Sequence, residues 1–124
     1  MNFIPLTSVE QVQAVRSTFF DQGERVYAIA FDMDTDTLQK SYPGMSWNNA
    51  YSEIRGVLER HSFAWQQGSV YFGSKDVNAV SCFLAVSDCV RSLEWFASSV
   101  RDIRMLRIEE FNDLMPVVRE ALVE

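Results

Sequence analysis

Arg25-Val26-Tyr27-Ala28-Ile29-Ala30-Phe31 is the stretch on which the fold turns, because after its arginine every residue is β-branched, aromatic or small and apolar. A strand with one wet face alternates, whereas one covered on both faces is apolar throughout, so this run reads as a central strand. Downstream, Trp47, Ala50, Tyr51, Ile54, Val57 and Leu58 recur at helical spacing behind Ser46, a candidate cap. Glu53, Arg55, Glu59 and Arg60 take the opposite face, and Gly56 within this helix marks a candidate point of close packing. Ser62-Phe63-Ala64-Trp65-Gln66 alternates, Ser69-Val70-Tyr71-Phe72 is a further extended run, and Gln67-Gly68 between them predicts a tight hairpin turn. An apolar helix over 76–90 and a strand over Val100–Ile108 complete the series. Strand, helix, strand, strand, helix, strand is the split βαβ or ferredoxin-like order: an α+β fold with an antiparallel sheet and helices on one face. The open face of so small a core needs a cover, which a second copy often supplies.

The ends add two helices. Thr7-Ser8-Val9-Glu10 resembles a capping box, and Val12, Val15 and Phe19 follow at helical spacing until Asp21-Gln22-Gly23-Glu24. Phe111, Leu114, Met115, Val118 and Leu122 mark a last helix, with Pro116 suited to its first turn. Residues 1–25 are thus expected to be an N-terminal helical extension, and 26–124 the ferredoxin-like domain.

With 124 residues, 48% of them hydrophobic and 13% aromatic, the chain can build one buried core. Seventeen acidic residues outnumber 11 basic ones, for a net charge of −6, which argues against a protein that coats DNA by charge. The carboxylates concentrate at 32–36 and 108–124, however, and the body between is mildly basic. A polyanionic substrate remains compatible. The longest apolar run, Val26–Phe31, is far short of the roughly 20 residues of a membrane span. Met1-Asn2-Phe3-Ile4-Pro5 carries no basic residue and does not read as a signal peptide. Cys82 and Cys89 would stand ~10 Å apart on one helix, too far for a disulfide, so they read as buried thiols of a reducing compartment, the cytoplasm.

Asp32, Asp34 and Asp36 leave the first strand at alternating positions. A strand end holds a carboxylate on rigid backbone in reach of solvent, a common way to place a catalytic or metal-ligating group. A calcium loop needs Gly and Glu where Thr37 and Pro43 stand, so that reading fails. A phosphatase that begins with a strand and D-x-D-x-T or V is opposed by Asp36 at the fifth position and by the absence of a later acidic pair. Two readings remain. Asp32 could hold Mg²⁺ or Mn²⁺ against a phosphodiester, helped by a second copy across a two-fold axis, or the three aspartates are simply a polar strand exit.

His61, the single histidine, ends the second helix beside Arg60 and reads as structural, its ring helping the helix C-terminus. No phosphate loop or nucleophile signature occurs, and two Cys with one His make a zinc site improbable. Arg101, Arg104 and Arg107, with Lys75 and Arg91, form the basic grouping, and strand alternation would put Arg101 and Arg107 opposite Arg104. Trp47, Trp65, Tyr71 and Trp95 could stack on unpaired bases or belong to the core.

Together these residues resemble a known family. Val26–Asp34, Tyr42-Pro43-Gly44, Asn49-Ala50-Tyr51, Gln66–Tyr71, Glu94-Trp95-Phe96, Ser99–Arg104 and Glu109-Glu110-Phe111 look like the successive motifs of the bacterial virulence-associated protein D (VapD) ribonucleases. The resemblance spans about residues 26–123. It implies a ferredoxin-like homodimer, related in fold to the small CRISPR-associated nuclease, that cleaves single-stranded RNA. It also implies the toxin role of a toxin–antitoxin pair, and hence a small antitoxin protein as partner, with neither DNA nor membrane. By motif position Asp32 is the expected catalytic carboxylate and metal ligand, with Mg²⁺ or Mn²⁺ the candidate ions. Gln67, Ser69, Tyr71, Arg101 and Arg104 are the expected RNA contacts. The competing expectation is a non-catalytic dimeric module of the same fold that grips RNA or a protein.

Overall fold

Apolar patterning at the first strand is carried through to the sheet. A computed structural model describes residues 25–123; the helix expected over 9–20 lies outside them. β1 (Val26–Met33) is followed by a short helix α1 (Thr35–Ser41) and then α2 (Asn49–Arg60). The hairpin β2 (Phe63–Gln67) and β3 (Val70–Gly73) leads to α3 (Ala79–Ser92), a one-turn helix α4 (Phe96–Ser99), β4 (Val100–Ile108) and α5 (Met115–Val123). The sheet order is β2-β3-β1-β4, the antiparallel ferredoxin-like arrangement expected, with β3 and β1 inside and the apolar run Val26–Phe31 making up most of β1.

Register explains which side chains meet. Ile29 lies opposite Tyr71, Ala28 opposite Phe72 and Ala30 opposite Val70. Ile29, Phe31, Met33 and Tyr71 join the buried cluster with Ala50, Ile54, Val57 and Leu58 of α2 and Cys82, Ala85 and Cys89 of α3. The helical stripe read from the sequence is therefore the stripe that is buried, at about 1.5–3 kcal/mol for each large apolar side chain. Val100 and Ile103 both pack on this cluster although they stand three positions apart, so strict alternation does not hold where β4 begins.

Three local expectations are corrected. Asn48, not Ser46, holds the N-cap position of α2, and its side chain makes no capping hydrogen bond. A Cβ on Gly56 would meet nothing within 4 Å, so that glycine marks no close contact. In the hairpin, Trp65 pairs with Tyr71 but Gln67 pairs with Val70, which places a β-bulge ahead of the turn. Gly68 takes φ +50, the left-handed conformation that glycine adopts at no steric cost.

α3 opens on a capping box between Asn78 and Ser81. Cys82 and Cys89 are free, buried thiols, and burial raises the pKa of both, that of Cys89 to about 11. His61 caps α2, and its Nε2 lies 2.7 Å from Asp88 Oδ2 on α3. Ser92 Oγ donates to the other Asp88 oxygen at 2.6 Å. His61 is thus structural as expected, but its ring ties α2 to α3 through Asp88, and only its backbone amide serves the end of α2.

Val26–Arg107 forms one compact unit, and Arg25 groups with the residues from Ile108 onward in another. In the latter, Arg25 Nε stands 3.3 Å from Glu109 Oε1. Asp113 Oδ1 accepts from the Met115 amide at 2.9 Å at the head of α5, and Pro116 falls in its first turn as expected.

Candidate active site at the end of the first strand

The three aspartates that leave β1 have different tasks. Met33 is buried and anchors the strand end, so its neighbour Asp32 is turned outward, with 62% of its side chain exposed. The Asp34 amide donates to the Ser99 carbonyl at 2.7 Å and holds β1 against the start of β4. The Asp34 carboxylate accepts from the Thr37 amide at 3.1 Å and so caps α1. That backbone hydrogen bond, aided by Arg101, lowers the Asp34 pKa. Asp36 sits in the first turn of α1, where a negative charge suits the helix dipole. The polar strand exit accounts for Asp34 and Asp36, and leaves Asp32 without a capping role.

Arg101 faces this exit from β4. One guanidinium nitrogen is 3.6 Å from Asp32 Oδ2 and the other 4.0 Å from Asp34 Oδ2. These are ion-pair distances beyond hydrogen-bond range, so the donors of the fork are not saturated by the carboxylates. Arg104 is elsewhere. Its Nε donates to both oxygens of Asp102, at 3.1 and 3.2 Å, and it lines an apolar groove with Ile29, Phe83 and Met105.

The hairpin residues separate as well. Ser69 and Tyr71 line a cavity of about 490 Å³, and the Phe31 amide donates to the Ser69 carbonyl at 3.1 Å, so the cavity begins one residue from Asp32. Gln67 pairs with Val70, on the face of the sheet opposite Tyr71. Three residues of that cavity were not singled out together in the sequence: Tyr51 and Arg55 on α2, and Trp65 on β2. Their one sequence signal is the i, i+4 spacing of Tyr51 and Arg55 along one side of a helix.

Among the described residues, no group of three or more His, Cys, Asp or Glu side chains could hold a metal ion. Mg²⁺ often binds through one or two carboxylates plus substrate phosphate. Asp32, which caps no helix and pairs only loosely with Arg101, fits that mode; a cage does not form among the described residues. No helix among those residues is long and apolar enough to cross a membrane.

The βαββαβ order, the one-sided helix layer and an outward carboxylate at the end of the central strand define a ferredoxin-like α+β protein with a strand-end acidic site. Comparison with known proteins carries this further, although no family model matches the chain. It is 46% identical over 97 residues to an endoribonuclease VapD homolog of Helicobacter pylori, an overlap of 78% of this chain and 100% of that protein. It is 43% identical over 93 residues to endoribonuclease VapD 2 of Riemerella anatipestifer, covering 75% and 99%. The endoribonuclease VapD of Dichelobacter nodosus is 43% identical over 96 residues, covering 77% and 100%. The chain belongs to the VapD family of endoribonucleases.

Proposed function

We propose that this endoribonuclease cleaves single-stranded RNA at the end of β1, with Asp32 as the catalytic carboxylate and Arg101 as the cation that meets the phosphate. The observation that carries this is the pairing of an exposed, uncommitted Asp32 with Arg101 at 3.6 Å, on the two adjacent strands β1 and β4. Asp32 accepts the proton of the attacking oxygen, a ribose 2′-hydroxyl or water. The new P–O bond forms as the P–O5′ bond breaks, and the leaving 5′-oxygen takes a proton from solvent. Arg101, not locked in hydrogen bonds, turns its fork to the non-bridging oxygens as their charge grows. A divalent ion bound by Asp32 and substrate phosphate would add Lewis-acid stabilisation when present.

Among the described residues one chain offers a single such carboxylate, which supports a homodimer with the two copies of Asp32 at one cleft. The toxin role, the antitoxin partner and a cytoplasmic site of action rest on the family resemblance, and free buried thiols agree with a reducing compartment. The test is cleavage of a defined single-stranded RNA by wild type and Asp32→Asn, with Mg²⁺ or with EDTA, after circular dichroism shows both folded. Loss of cleavage in the Asn protein is expected. Equal cleavage by both removes Asp32 from the mechanism, and the EDTA arm decides the metal.

A further inference from the structure

Resting on the ribonuclease reading, we propose that the cavity between α2 and the β2–β3 hairpin is a base-binding subsite that takes one unpaired RNA base against Trp65, with Arg55 on an adjoining phosphate. Its size, about 490 Å³, is in the usual range of small-ligand pockets. Phe31 and Tyr71 form its floor, their rings stacked at 6.0 Å and 18° and nearly buried. Trp65 is the wall. It is 44% exposed, high for a tryptophan in a strand, and its Nε1–H donates to the Gly68 carbonyl at 2.8 Å. That bond fixes the indole and uses its one donor, leaving the ring face that Arg55 does not cover as what it offers a base. The Arg55 guanidinium lies 4.7 Å from the indole centroid. No carboxylate comes within ion-pair distance of Arg55 among the described residues, and an arginine stacked on a ring keeps its in-plane donors for phosphate.

Position joins this cavity to the reacting centre. Phe31 lines it and precedes Asp32 in the same strand. Tyr51 stands at its rim, and its phenol pKa is raised first by burial and then by the charge of Asp32, so the rim is within electrostatic reach of that carboxylate. A π platform, an uncommitted guanidinium and a rim serine are the parts a single-stranded nucleotide needs, because stacking accepts any base and duplex bases are not available to it. In the groove walled by Ile29, Phe83 and Met105, by contrast, the guanidinium of Arg104 is already engaged by Asp102.

The experiment uses the full chain and one single-stranded RNA in two arms. Binding is read by fluorescence anisotropy in the Asp32→Asn background, and steady-state cleavage in the wild-type background. Trp65→Ala should weaken binding at least about fivefold, the low end of one base–aromatic stack, and the loss should fall on KM. Trp65→Phe should recover most of it, and a duplex of the same sequence should not respond. Arg55→Gln should lower the slope of log K against log salt by about 0.7, one phosphate contact on a single strand. If folded Trp65→Ala and Arg55→Gln both bind and cleave within twofold of their parents, the subsite is refuted and the ribonuclease reading stands. If wild type never cleaves but these variants still lose binding, the reverse holds.

Discussion

Exchanging Arg101 for glutamine removes the guanidinium at the strand end and leaves a neutral amide, and it should separate stability from rate. Arg101 and Asp32 are 61% and 62% exposed and 3.6 Å apart. Two unit charges at that separation in water attract by about 1 kcal/mol, and exposed pairs measured by mutation give roughly 0.2–1 kcal/mol. A domain of this size shifts by ~4–8 °C per kcal/mol, so the Tm should fall by a few degrees at most. The rate should respond far more. Removing one group aimed at charge that develops in the transition state costs roughly 100- to 1,000-fold, or about 2.7–4 kcal/mol. The assay pairs thermal unfolding with single-turnover cleavage of one RNA at fixed ionic strength. Arg101→Lys, which keeps the charge and loses the planar fork, should fall between wild type and the Gln protein. Cleavage by Arg101→Gln within threefold of wild type would refute the role given to Arg101, and so would a collapse in Tm, which would make the pair structural.

Three further outcomes follow from the packing and the titrating groups. Leu38→Ala, at a residue with no exposed surface, should cost about 2–5 kcal/mol in urea unfolding, since it opens a cavity under α1. With its pKa raised to about 11 by burial, Cys89 is about one part in a thousand thiolate at pH 8, so iodoacetamide should label it in urea and not in the native protein; rapid native labelling would contradict its burial. The Asp88 pKa is lowered by its hydrogen bonds from Ser92 and His61 and by Arg60, so its stabilisation is complete above the ordinary carboxylate pKa and is lost as pH falls through the lowered value. Asp88→Asn should therefore flatten the fall of Tm below about pH 4, and an unchanged acid limb would count against this helix tie.

What was legible in the sequence depended on how far each signal reached. β1 could be read because six consecutive apolar residues suit only a doubly covered strand, and α2 because its stripe is long enough to show a period. α1 was missed. Its seven residues bury only Leu38, and one buried residue has no period to read. Asp32, Asp34 and Arg101 were each singled out, but their meeting depends on Asp34 pairing with Ser99 across two strands that lie far apart in the chain. Arg55 looked like a solvated charge on the polar face of α2. Its place over Trp65 is set by the angle between a helix and a hairpin, which no local pattern encodes. Gln67 and Tyr71 were read as one group because they share a motif, and the extra residue in β2 parts them.

That extra residue makes the hairpin a parity switch. Trp65 faces the helix layer with Tyr71, and Gln67 faces the other way with Val70, although two positions along a regular strand share a face. Deleting Gln66 would remove the bulge and set Gln67 directly after Trp65, still opposite Val70 and on the face it already takes. The side chain such a deletion takes away is Gln66, which lines a surface depression with Ala64 and Phe72. A hairpin shorter by this one residue would lose a polar side chain from one side of the sheet and keep Trp65 opposite Tyr71 on the other.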